Sequence, residues 1–148
     1  MAYQNSLVKV VIEVLHDGKR GMADIGEHLK DPQVKSFFMQ ESQTRGAFAQ
    51  ELEAEYGTDS GHSNDIGGTA AGTIHRVWGD LKANLGGGDH TLLETAEQGE
   101  DAAKKAYKEA LEDTSISGNL RSILQRQQPH IQASHDKVKA FRDSRSSK

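Results

Sequence analysis

The chain contains no cysteine. Thiolate metal sites, iron–sulfur clusters, disulfides and cysteine nucleophiles are therefore excluded. Proline is scarce too: Pro32 and Pro129 are the only two, so long helices meet few breaks. Aromatic residues make up 5% of the chain and hydrophobic residues 34%. A β-sandwich needs more aromatic and β-branched side chains than this. A helical bundle tolerates the shortage, because much of each helix faces water. No run of about 18 apolar residues exists, so no membrane span is expected. The opening "MAYQNSLVKVVIEVLHDG" lacks a basic leader followed by an unbroken apolar core, so no signal peptide is expected. A cytoplasmic protein is the expectation.

The 148 residues suit one domain, expected over 1–142 with a flexible polar tail at 143–148. The net charge of −4 is unevenly spread. From Arg121 onward seven Lys/Arg against two Asp give +5, and the preceding residues carry eleven against twenty, giving −9. Cations suit a helix C-terminus, which accounts for the basic end without a ligand. An acidic chain is a poor candidate for nucleic-acid binding, although the basic end could meet some other anionic partner.

Apolar spacing places four long helices. The first covers about Gln4 to Lys30, along Leu7, Val11, Val14, Gly18, Met22, Ile25 and Leu29. Asp31 is a good N-cap and Pro32 suits a first helical position. The second helix then runs to about Tyr56, along Val34, Phe38, Glu41, Arg45, Phe48 and Leu52. "YGTDSGHSNDIGG" (56–68) reads as a loop, and residues 69–85 carry a further helical stripe through Ala71, Ile74, Trp78, Leu81 and Leu85. "GGG" at 86–88 lacks the Lys-Ser/Thr of a phosphate loop and reads as a chain break. The third helix covers about Thr91 to Glu112, with Thr91 and Glu94 at capping-box spacing. Its stripe is Leu93, Ala96, Glu100, Ala103, Tyr107 and Ala110. The fourth covers about Asn119 to Arg142, along Leu120, Leu124, Gln127, Ile131, Ser134, Val138 and Phe141. Two antiparallel hairpins joined by a long crossover with its own helix make a one-crossover, all-α four-helix bundle.

Each long helix carries a polar group where a core residue is expected or beside it: Asp17, Glu41, Glu100 and Gln127, with His130 one turn beyond. Asp17 lies 14 residues before Asp31 and Glu41 lies 10 after it, roughly 21 and 15 Å from that turn. Glu100 and Gln127 fall at similar depths from a turn near Ser115. A buried carboxylate needs a partner, and Arg45, four residues after Glu41, could supply one along the helix. His62 and His90 lie in Gly-rich loops and are expected in solvent. His75 and Trp78 are expected to pack the crossover onto the bundle. His135 is expected to face outward. Pro129 should free the carbonyl of Gln125 and kink the fourth helix between Gln127 and His130.

The segments "DGKRGM" (17–22), "DPQVKSFFMQESQTRGAFAQEL" (31–52), "IHRVWGDLKANLGGGDH" (74–90) and "EQGEDAAKKAYKEAL" (97–111) resemble a bacterial family of uncharacterised ferritin-like four-helix proteins. The likeness spans about Leu7 to Arg142, and "GEDAAKKAY" is similar to the start of metal-bearing helices in rubrerythrin relatives. The resemblance implies a ferritin-like crossover bundle and no known reaction. Di-iron members of that superfamily place Glu on two helices and Glu-x-x-His on the other two. In this chain Glu100 matches as one carboxylate, and Asp17 is a shorter substitute for the other. Glu41 is followed by Thr44 where His belongs, and Gln127 precedes His130 where Glu belongs. Glu41, Glu100 and His130, assisted by Asp17 and Gln127, could hold one iron, manganese or zinc ion but are a poor set for two. The leading expectation is a non-catalytic bundle, stress-associated or interaction-mediating, with a degenerate core site. A homodimer is its simplest assembly. A single-ion metalloprotein is the alternative.

Overall fold

A computed structural model describes residues 2–60, 78, 85–116 and 118–144. Four long helices form it: α1 (Ala2–His28), α2 (Pro32–Ser60), α3 (Asp89–Glu112) and α4 (Gly118–Ser144). No strand occurs among the described residues. Each predicted stripe is the buried face of its helix. Val11, Val14, Met22 and Ile25 of α1, Phe38 and Leu52 of α2, Leu93, Ala103 and Tyr107 of α3, and Leu124, Ile131 and Val138 of α4 make the core.

The α1–α2 turn closes as its residues dictate. Asp31 Oδ1 accepts from the backbone N–H groups of Gln33 (2.9 Å) and Val34 (3.3 Å), capping a helix that begins at Pro32. Lys35 Nζ donates to the carbonyls of Gly26 (3.0 Å) and Glu27 (3.2 Å), satisfying the far end of α1. The Asp89 carboxylate then accepts from the N–H groups of Lys30 (3.0 Å) and Asp31 (3.1 Å). Those bonds pin the start of α3 to this same turn, so α3 runs parallel to α2 and antiparallel to α1. At the other end Asn119 of α4 meets Glu55 of α2, so α2 and α4 are antiparallel. Going round the bundle, α2 packs on α1, α1 on α3, α3 on α4, and α4 more lightly on α2. α2 therefore ends at the opposite end of the bundle from the start of α3.

The helix expected over 69–85 falls outside the described residues, apart from Trp78 and Leu85, as do His62 and His75. Trp78 is helical and buried, whereas Leu85 already lies in a turn. The Trp78 indole rests in a notch between α1 and α3 made by two glycines. A Cβ added at Gly21 would lie 2.2 Å from its Cε3, and one at Gly99 would lie 2.0 Å from its Cζ2. Trp78 thus packs where two helices present bare backbone.

Several boundaries differ from expectation. α3 begins at Asp89 with Gly88 as N-cap and no side-chain cap, so Thr91 and Glu94 form no capping box. Gly88 ends the glycine run, and the Asp89 carboxylate suits the positive end of the helix dipole. α2 continues past Tyr56 to Ser60. α4 runs to Ser144, and near its end Arg142 pairs with Glu97 and Lys139 with Asp143. Pro129 lies inside α4 and does not end it.

Candidate functional site

At mid-height the core is polar. Arg45 of α2 is almost fully buried, with 1% of its side chain exposed. Its guanidinium reaches three groups on three helices. Nε donates to Glu41 Oε2 at 2.8 Å, one turn back along α2. Nη2 donates to Glu100 Oε1 of α3 at 2.5 Å and to Ser134 Oγ of α4 at 3.0 Å. The Ser134 hydroxyl in turn donates to the second oxygen of Glu100. α1 contributes by omission, since a Cβ at Gly18 would sit 3.3 Å from Arg45 Nη1. Four helices therefore build one cluster, with the cation at its centre.

Burial lowers the Arg45 pKa. The charges of Glu100 and Glu41 and the hydrogen bonds to them more than offset this, so the net shift is upward and the guanidinium stays charged. His130 stands where the cluster meets solvent. Its Nε2 lies 3.0 Å from both oxygens of Glu41, its side chain is 42% exposed, and its ring packs edge-on to Phe48.

The sequence-derived residues therefore separate into groups. Glu41, Glu100 and His130 do belong to one cluster, but Arg45 joins the two glutamates and only Glu41 touches His130. Gln127 is fully buried in a neighbouring layer. It accepts from the Tyr107 hydroxyl at 2.7 Å and donates to Glu51 Oε1 (3.0 Å) and the Phe48 carbonyl (3.3 Å). Arg126 closes that layer from outside by pairing with Glu51. The Arg126 hydrogen bond, helped by Gln127, holds the Glu51 carboxyl below its ordinary pKa, and burial pushes the Tyr107 phenol well above its own. Asp17 is half-buried on α1, beside Gly18. Thr44, at the di-iron histidine position, turns its hydroxyl back to the carbonyl of Gln40 at 3.3 Å.

Two members of the cluster had a sequence signal: Arg45 sits four residues from Glu41, and Ser134 lies on the α4 stripe. A third histidine contradicts expectation. His135 is buried, not outward-facing, because it shares a face with Ile131 and Val138. Its Nε2 lies 2.9 Å from Asp101 and 3.8 Å from Glu97, and its Nδ1 lies 3.1 Å from Asp136. The spacing from Ile131 through His135 to Val138 carried that signal.

With Arg45 in place, Glu41 and Glu100 share a guanidinium rather than an open coordination position. An ion held by Glu41, Glu100 and His130 would require the Arg45 side chain to swing away. No helix among the described residues is long and apolar enough to cross a membrane. No curated protein matches the chain. Residues 4–113 match the model of a domain of unknown function, DUF2383, a span that holds Gly18, Glu41, Arg45 and Glu100, and the chain belongs to that family.

Proposed function

We propose that this DUF2383 chain is a ferritin-like bundle with no catalytic chemistry in its core, acting as a scaffold whose outer faces meet its partners. One observation carries the reading: a side-chain cation, Arg45, sits between the two carboxylates that a ferritin-like centre would turn toward metal. A guanidinium offers charge and directed donors but no vacant orbital and no exchangeable position. It can hold helices in register and cannot activate a substrate as a metal does.

A second reading keeps one transition-metal ion on Glu41, Glu100 and His130, with Asp17 and Gln127 assisting. Its support is His130, which faces solvent and touches both oxygens of Glu41. Metal analysis of tag-free protein after incubation with Fe²⁺, Mn²⁺ and Zn²⁺ separates the two readings, provided Glu41→Gln and Glu100→Gln are run beside it. The scaffold reading expects no metal that depends on Glu41 or Glu100. A full equivalent lost in both variants would replace it with the second.

A further inference from the structure

The hairpin of α3 and α4 carries another cluster on its outer side, away from Arg45. Glu97 and Asp101 lie one turn apart on α3, where two like charges repel. His135 of α4 inserts between them, with 10% of its side chain exposed. One atom from each of the three side chains falls within 4.8 Å of the others.

The partners of these groups decide what the cluster wants. Asp136 Oδ1 lies against His135 Nδ1, and Gln132 Nε2 donates to that same Asp136 oxygen at 3.0 Å. A carboxylate on Nδ1 favours the tautomer with its proton there, as it does for metal-ligating histidines. Nε2 then presents a lone pair to two carboxylates. In that tautomer three lone-pair atoms converge on one point, which a cation would satisfy.

The distances suit one. Tetrahedral ligands about 2.0–2.1 Å from an ion stand roughly 3.3 Å apart. The measured separations from Nε2, 2.9 Å to Asp101 and 3.8 Å to Glu97, bracket that edge. Arg142 holds the other oxygen of Glu97 in place. Asp101 also lines an open groove of about 470 Å³, so water can complete the coordination. Arg142 pairs with Glu97, Lys104 acts on Asp136, and Lys104, Lys105 and Lys108 line the groove beside Asp101, so an ion would have to compete with these cations for Glu97, Asp101 and Asp136.

We infer that Glu97, Asp101 and His135 form a surface site for one divalent transition-metal ion, with Asp136 as the residue that orients His135. One imidazole and two carboxylates suit zinc or its first-row neighbours better than calcium, which takes oxygen ligands alone. The site is separate from Glu41 and Glu100, so its fate does not depend on the core.

The test is Zn²⁺ titration of the tag-free full chain by calorimetry, with Co²⁺ absorption reporting ligand geometry. Wild type should take one equivalent. Asp101→Asn, at a position more than half exposed, should keep the helical circular-dichroism signal and weaken affinity at least tenfold. His135→Gln should abolish the Co²⁺ band, and Asp136→Asn should weaken binding with the band retained. Glu41→Gln and Glu100→Gln should leave the affinity within twofold. Absence of saturable Zn²⁺ binding would overturn the inference. So would binding indifferent to Asp101→Asn.

Discussion

Replacing Arg45 with methionine tests the physical role of the core cluster most directly. The change keeps an unbranched apolar stem in α2 and removes the guanidinium with its charge and donors. Three contacts go together: Nε to Glu41, and Nη2 to Glu100 and to Ser134. Two carboxylates then remain in the core without a cation, Glu100 fully buried and Glu41 nearly so. Removing one partner of a buried ion pair costs about 3–5 kcal/mol, because the charge left behind stays desolvated. Unfolding entropy of about 2.1 cal/mol/K per residue gives a chain of this length roughly 0.3 kcal/mol/K. Arg45→Met should therefore lower Tm by about 10–16 °C, measured by thermal circular dichroism or calorimetry. The decisive comparison adds Glu41→Gln and Glu100→Met to Arg45→Met. Removing every charge removes the desolvation problem, so the triple variant should regain more than half of the lost stability. Arg45→Met within about 1 kcal/mol of wild type would refute the reasoning, since neutral surface changes do as much. A triple variant no better than the single one would show that packing, not charge, makes Arg45 important.

The remaining predictions concern other layers of the bundle. Gly99→Ala places a Cβ 2.0 Å from the Trp78 ring, so the indole should leave its notch. Trp78 is the sole tryptophan, and its emission should shift to the red with a loss approaching the about 3–5 kcal/mol of deleting a buried aromatic side chain; unchanged emission would dismiss the notch. Tyr107→Phe leaves the buried oxygen of Gln127 without its donor and should cost about 1–3 kcal/mol in denaturant unfolding. Glu51 has its carboxyl pKa held below the ordinary value of 4.5, first by Arg126. Its stabilisation is therefore present above that value and is lost as pH falls through the lower, folded-state one. The stability gap between wild type and Glu51→Gln should narrow from pH 5 downward, and a gap that widens in acid would reverse the sign.

Much of the architecture is legible in the chain because a helix writes its buried face at intervals of three and four. Val11, Met22, Phe38, Leu93 and Leu124 all fall where that spacing puts them. Asp31–Pro32 carries its own turn chemistry, and the crossover topology follows from the length between α2 and α3. Helix ends are harder to read. Asp89 starts α3 because its carboxylate has work across the α1–α2 turn, and no local rule contains that contact. The same limit applies to the polar residues. Spacing along one helix paired Glu41 with Arg45. It could not say that Gln127 would meet Tyr107 and Glu51 instead, since that depends on how α4 sits against α2 and α3. His135 differs: its place beside Ser134, between Ile131 and Val138, marks the buried side of α4 in the sequence itself.

Thr44 and Arg45 take their roles in the proposed scaffold together. Thr44, three residues after Glu41, carries no ligand and bonds its own helix. Arg45, one position later, points into the core and takes both carboxylates. The fourth position after Glu41, not the third, thus faces the core, and it carries a permanent cation. That cation needs space, and Gly18 on α1 supplies it: an alanine Cβ there would meet Nη1 at 3.3 Å, tight enough to require the guanidinium to move by a few tenths of an ångström. Glu100 receives two donors, Arg45 on one oxygen and Ser134 on the other. Four helices agree on one arrangement, and each substitution makes sense only with the others. A polar core in which all parts conform to a built-in arginine sets helix register without waiting for an ion. That favours a stable scaffold over a centre whose assembly depends on metal supply.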